Sequence, residues 1–371
     1  MVDFSHAVFA EGDTSFKRAA FYGCDVDFSF TTFAAPIVDF SLADFGDGDL
    51  DFTSTVFRSQ TVIFLLAKLG SGTLHFDGSK VGRALLRFEL TNLEKEIVSF
   101  RDIEFEGEGF FWQLNGLEKA KEVTFEGCKF EGLFTFTHKG RMGAPLDLRR
   151  TKLVHMPVLN DLICDYKIAP MPSILARSSQ WWLGVPSSDP PTWKWHKKAQ
   201  HREDSQRFRR LKEIAHSNRN HAKALEFHIQ EIRSRRGWET NWPQDLAQFF
   251  FWAFGDYGRS VLRPIVWMGV FWAAFAGWFW WMRAPIQKVA DSLPIGTGAS
   301  IYRDGWTALT YSASNMLSFI PTGRTAKQQG EDLLFGGLVP DSVLLVSGVQ
   351  SIVAVILLFL LGLGLRNMFR V

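Results

Sequence analysis

Ser347, Gln350, Ser351 and Ala354 recur at i, i+3, i+4 and i+7 inside an otherwise apolar run near the end of the chain. That spacing puts them on one face of a helix. A polar or small stripe on a lipid-like helix lines either a water-filled cavity or a helix contact. Upstream, Ser314, Asn315, Ser318, Phe319, Ile320 and Pro321 lie where a short helical stretch, DGWTALTYSASNML, gives way to SFIPTG. If that stretch enters the membrane and turns back, Ser314, Asn315 and residues 318–321 ring an aqueous axis. Irregular backbone at membrane depth is tolerated only against protein or water. The half-helix would aim its negative C-terminal end at the axis, which favours cations. Glu331 and Asp332 would concentrate cations at an outer mouth, offset by Arg324 and Lys327.

Other chemistry is poorly supported. His75, His138 and His155 are scattered, with no HExxH spacing, and Gly70, Gly72 and Gly78 to Lys80 lack the GxxxxGK phosphate loop. The three cysteines, Cys24, Cys128 and Cys164, form no CxxC pair and suit a reducing compartment. No nucleophile, base and oxyanion arrangement is visible. The sequence therefore gives no catalytic, cofactor-binding or metal residues and is not expected to be an enzyme.

The elements that must position the polar residues fall into two compositions. Among 371 residues there are 35 Phe but 5 Tyr, and 13 of the 14 Trp lie after residue 180. A net charge of +2 argues against a surface built to neutralise phosphates, so nucleic acid is not expected as a partner. The N-terminus lacks a basic region followed by an apolar one, so no cleaved secretory signal is expected. Phe4, Phe16, Phe28, Phe40, Phe52, Phe64, Phe76, Phe88 and Phe100 recur every 12 residues. A second series, Phe9, Phe21, Phe33, Phe45, Phe57, Leu69, Val81, Leu93 and Phe105, is offset by 5. The residue two before each anchor is mostly aliphatic in the first series and small in the second, as in Ala7, Thr31, Ala43 and Thr55, with Ile103 the exception. That is the alternation of short strands with one face inward, cornered by Gly and Asp. Short strands bury a face only by stacking coil on coil, which predicts a β-solenoid with inner Phe ladders over residues 1–160. After Phe105 the repeat resurfaces at Trp112, Leu117, Phe125 and Phe130.

The lines VDFSLADF and VTFEGCKF resemble the Phe-centred class of pentapeptide repeat. The resemblance implies a right-handed four-sided coil; two residues inserted in every second side make a 24-residue rung here. Ten acidic and three basic residues through residue 60 give an acidic outer face. In gyrase-binding relatives such a face mimics DNA, a use the membrane half of this chain does not call for.

Residues 161–243 read as a Pro- and Trp-rich linker followed by a basic helical hairpin. Phe208, Leu211, Ile214 and Ala215 form one apolar face; Ala222, Leu225, Ile229 and Ile232 form the other, with Asn220 as N-cap. From Arg177 to Arg236 fourteen Lys or Arg stand against six Asp or Glu. Next to an apolar span, the basic segment 194–236 predicts contact with anionic lipid headgroups. Residues 244–371 read as a membrane domain: an interfacial helix at 244–254, a first span at 265–282, a pore helix at 304–317 and a second span at 343–365. The flanking Arg235, Arg236, Arg259, Arg263, Arg366 and Arg370 place both termini on the cytoplasmic side and the segment around Lys288 outside. RFRRLKEIAHSNRNHAKALEFHIQEIRSRR, FGDYGRSVLRP and LLFLLGLGLRNMFRV resemble segments of bacterial pentapeptide-repeat membrane proteins, a family regarded as ion channels. The resemblance implies a bacterial inner-membrane, cation-conducting homo-oligomer of four copies, or five, with permeant ions as ligands and a solenoid for gating, sensing or assembly. The alternative is a membrane-anchored scaffold whose solenoid binds a cytoplasmic partner.

Overall fold

The computed structural model describes residues 1–10, 12–159, 162–164, 199–236, 238–290, 301–318, 320–335 and 339–369, with backbone alone at 242, 283–290 and 301–304. Phe319 and the Pro- and Trp-rich stretch through residue 198 lie outside the described residues. The chain divides into two compact units, Met1–Trp242 and Pro243–Val371.

The first unit is a parallel β-solenoid of about seven turns closed by a helical hairpin. Val2 pairs with Val26, Val26 with Leu50 and Leu50 with Leu74, so one coil takes 24 residues. Three sides of the coil are ladders of seven, seven and six parallel strands. The fourth is a column of single bridges through Ala20, Asp44, Lys68, Asn92 and Asn115. Both Phe series point inward, and Phe28, Phe33, Phe40, Phe52, Phe64 and Phe76 are fully buried. Within a column the rings stack in parallel, Phe16 on Phe40 at 4.9 Å, Phe40 on Phe64 at 4.7 Å and Phe64 on Phe88 at 4.4 Å. Between columns they meet edge to face, as Phe40 and Phe52 do at 80°. The small residues have a separate task. Thr31, Thr55 and Ser79 donate their hydroxyls to the carbonyls of Phe4, Phe28 and Phe52 in the preceding coil at 2.8, 2.8 and 2.6 Å. A bulkier side chain would lose that bond and crowd the corner.

The expected anchor Trp112 is corrected to Phe111. The ladder continues Phe88 to Phe111, stacked at 5.2 Å, while Trp112 points outward. Phe88 pairs with Phe111 rather than with the residue 24 later, so one residue has dropped out of that coil and the phase of the repeat shifts.

Helices α1 (Asp204–Ser217) and α2 (His221–Arg235) form the hairpin. Asn220 caps α2 by accepting from Lys223 N at 3.1 Å. Phe208, Leu211, Ile214 and Ala215 bury as expected and join the solenoid core, covering apolar surface that a repeat stack would otherwise leave open. On α2, Ile229 is buried as expected and Leu225 and Ile232 are half-buried, but Ala222 is exposed and Ala224 and Phe227 are buried in addition.

Among the described residues the second unit holds five α-helices: α3 (Trp242–Gly255), α4 (Leu262–Ala290), α5 (Ile301–Met316), α6 (Pro321–Phe335) and α7 (Asp341–Met368). Leu262–Met282 and Asp341–Met368 are long and apolar enough to cross a membrane. The helix α6 covers the segment of Glu331 and Asp332, for which no helix is read from the sequence. Its polar composition gives no apolar stripe. It is held by its last turn, Leu334 and Phe335, which bury against Phe279 and Tyr311.

Candidate functional site

The candidate site is the polar seam of the second unit. Ser312 on α5 donates to Trp272 O on α4 at 2.9 Å, and the Trp272 indole donates to Leu309 O at 2.9 Å. On the other side of α5, Gln350 Nε2 donates to Ser312 O and Oγ at 3.0 and 2.7 Å. Ser351 Oγ donates to Asn315 O at 2.9 Å, and Ser318 Oγ donates to Ser351 Oγ at 3.2 Å. The stripe Ser347, Gln350, Ser351 and Ala354 thus faces α5 within one protomer. Ser347, Gln350 and Ala354 are about 1% exposed and Ser351 is partly so.

Ser314 is buried and bonds its own helix at Tyr311 O, 2.8 Å away. Asn315 is fully buried, and its side-chain amide faces the Tyr311 hydroxyl without a close hydrogen bond of its own. Gln350 Oε1 is unpartnered. Unpaired amide groups in an apolar setting cost on the order of 1–3 kcal/mol each, so a seam that keeps them is not optimised for packing.

The connection from α5, ending at Met316, to α6, starting at Pro321, is short rather than a long irregular exit. Ile320 N bonds to Leu317 O at 2.9 Å, and Pro321 opens α6, where a missing N–H costs nothing. Ile320 and Pro321 are exposed, Ser318 partly buried. Glu331 and Asp332 lie on α6. Asp332 is exposed, but Glu331 accepts from Tyr311 OH at 3.2 Å and faces Lys327 at 3.9 Å. Lys327 in turn donates to Ser347 Oγ at 3.3 Å. A Cβ on Gly330 would lie 2.7 Å from the Tyr311 ring, so glycine lets α6 approach α5 closely enough for that chain of contacts. The structure therefore brings Asn315, Ser318, Ser347, Gln350, Ser351 and Glu331 into one network through Ser312, Tyr311 and Lys327, and leaves Ile320, Pro321 and Asp332 at its edge.

Sequence reasoning missed Ser312 and Tyr311. Ser312 and Asn315 lie three apart on α5, the same spacing that identified the stripe on α7, and that was the available signal.

The basic hairpin of the first unit is largely occupied with itself. Glu231, nearly buried, meets Arg209 at 3.2 Å, Lys212 at 2.5 Å and Arg235 at 3.7 Å. Burial would raise its pKa, but hydrogen bonds from His228 and Lys212 outweigh that and bring it to about 2. Lys223 donates to Leu162 O and meets Glu226. A hollow of about 450 Å³ beside Arg149, Arg150, Arg209 and Arg210 is lined equally by Glu126, Glu203 and Glu213. Among the described residues no group of three His, Cys, Asp or Glu is placed to hold a metal ion.

The chain matches no described protein family, and no curated protein or solved structure matches it either. A coiled repeat unit followed by two apolar helices of spanning length fits a membrane-anchored repeat protein.

Proposed function

We propose that this membrane-anchored repeat protein is a homo-oligomeric ion channel of the bacterial inner membrane, cation-conducting, with both ends of the chain on the cytoplasmic side and no enzymatic activity. Two spanning helices cannot enclose water, so several copies must share one axis. The observation that carries the reading is the buried seam between α5 and α7, where the Gln350 amide oxygen keeps no partner and the Asn315 amide faces only the Tyr311 hydroxyl, amid four serines. In an apolar membrane unit such groups are costly unless another arrangement gives them water or an ion. Parting α5 from α7 would turn Ser347, Gln350 and Ser351 into a polar wall and free Asn315 to line it. On this reading the zipped seam is a closed state, and Ser314 and residues 318–321 ring the axis above it. Residual positive charge on the hairpin would meet anionic headgroups.

A second reading is an anchored scaffold, favoured by the engagement of the α7 stripe inside the protomer. Recording from purified full-length protein in planar bilayers separates the two. The channel predicts unitary currents, and a charged thiol reagent should block them in Ser318→Cys and Ser347→Cys variants on a Cys24→Ser background. Silence across voltage and membrane tension, with insertion confirmed, would leave the scaffold.

A further inference from the structure

The outward face of the six-stranded ladder differs from the outsides of the other two. Their outward residues include Asp27, Asp51 and His75 on one side and Lys80, Glu104 and Lys129 on the other. The six-stranded ladder carries Ser15 and Asp39 on its first two rungs but then presents, rung by rung, Thr61, Ile63 and Leu65, then Leu85, Arg87 and Glu89, then Phe110 and Trp112. Ile37, Leu42 and Leu66 beside them are 40–45% exposed. The charges at its centre are one balanced pair: Arg87 Nε donates to Glu89 Oε2 at 2.7 Å while its guanidinium lies 5.7 Å from the Phe110 ring centroid. An apolar sheet face with an Arg and a Trp at its middle has the composition of an interface core.

We propose that this face docks on the same face of a second copy, with the two coils running in the same direction about a two-fold axis parallel to the coil. Charge selects that arrangement. Columns two residues apart exchange places across such an axis, so Arg87 meets the second copy's glutamate at 89, Ile63 meets leucine at 65, and Phe110 meets tryptophan at 112. The flanking ladders also exchange, Ile37 against leucine at 42 and Leu85 against leucine at 90. An axis along the strands would set Arg87 on Arg87 and Glu89 on Glu89, which repel. Rungs of identical spacing stay in register over the whole face. Six rungs ~4.8 Å apart and five residues at ~3.3 Å give a face of roughly 24 by 17 Å, about 400 Å² in projection. That is small beside the ~800 Å² per partner of a standard interface, so a freely diffusing partner would be held weakly. A copy confined to the same membrane gains effective concentration without further contact area. The inference rests on the anchoring reading for this point alone and is independent of conduction.

The test uses full-length protein in nanodiscs on a Cys24→Ser background. Ile63→Cys protein mixed with Leu65→Cys protein should cross-link through a bis-maleimide about 10 Å long, the spacing of packed sheets. Arg87→Glu should cut the yield at least tenfold, and R87E with E89R should restore it. Arg87 lies on the surface, so the coil should survive both changes. Yield no higher than for Asp27→Cys on another face, or yield unchanged in R87E, would overturn the proposal. So would a thiol at 63 shielded in cells yet fully reactive in the purified protein, which would assign the face to a different protein. Cross-linking without current would keep the contact and remove the channel, and current without cross-linking would do the reverse.

Discussion

Lys95 shows what a single residue does when a repeat column runs out of small side chains. Its column reads Gly23, Asp47, Ser71, Lys95 at 24-residue intervals. The side chain turns inward along the corner, where its ammonium bonds to Gly48 O and to Ser71 O, the latter at 2.6 Å. Asp47 and Asp49 nearby are already accepting from Ser71 N and Thr73 N. Burial lowers the lysine pKa to about 8 against the pull of Asp49, Asp47 and Asp25. The folded state thus gives up this proton more easily than the unfolded chain, whose lysine titrates near 10.5. Stability from this group is absent below about pH 8 and rises as the pH climbs toward 10.5, to an upper bound of roughly 3 kcal/mol. Denaturant unfolding of the chain and of Lys95→Met at pH 7.5 and 10 checks this. The difference between the two should grow in favour of the natural chain with pH, and a constant difference would contradict it. The Phe columns were legible in the sequence because a ladder repeats its residue type. Lys95 was not, because its role depends on carbonyls supplied by two earlier coils.

Elements were legible where period and burial coincide, and failed where contact geometry decides. The α1 face read correctly because its apolar residues recur at three-to-four spacing and all bury. On α2, Glu231 and Ser234 share the buried face with Ala224, Phe227 and Ile229, so the apolar stripe read from the sequence overlaps that face only in part. α6 has no stripe at all and was invisible. The junction between α1 and the last coil depends on polar groups. Arg207 Nε donates to Asp147 Oδ2 at 2.9 Å and faces Asp204 Oδ1 at 3.3 Å, all three being nearly or fully buried. Burial alone would raise the Asp147 carboxyl, but hydrogen bonds from Arg149 and the charge of Arg207 hold it below the usual carboxylate range. Asp204 is pushed upward by burial, and one of its oxygens has no partner. Arg207→Met should therefore destabilise the hairpin by ~3–5 kcal/mol, since it strands a buried charge. Adding Asp204→Asn should recover part of the loss. Hydrogen exchange over α1 and α2 in the full chain reads both effects; equal protection in all three proteins would mean that the apolar contacts of Phe208 and Leu211 alone seat the hairpin.

At the scale of the whole molecule, the sequence separated a repeat unit from an apolar helical unit because each has its own composition, while the zipped seam of the second unit depends on contacts between segments some 40 residues apart. Its topology can be argued from one end of the helix pair. Asn367 Nδ2, at the close of α7, donates to Gly258 O at 3.0 Å just before α4 begins. Gly258 has a left-handed φ of 78°, and a Cβ there would lie 2.7 Å from Leu363. The entry to α4 and the exit from α7 therefore share one end of the unit, as an even number of crossings requires. Arg259 and Arg263 lie at that end in sequence with Arg366, and on the proposed topology that end is the cytoplasmic one. Cys24 is exposed on the solenoid, whereas Cys128 and Cys164 are buried, so the natural chain already carries one reporter. In intact cells an impermeant maleimide should leave Cys24 unlabelled until the membrane is opened. On a Cys24→Ser background, Ser342→Cys, at the start of α7, should label from outside without opening, and Met368→Cys should behave like Cys24. Labelling of positions 342 and 368 from the same side would mean that α7 lies along the membrane or packs inside the protein. The seam against α5 would then be a soluble helix contact, and the channel reading would fall with it.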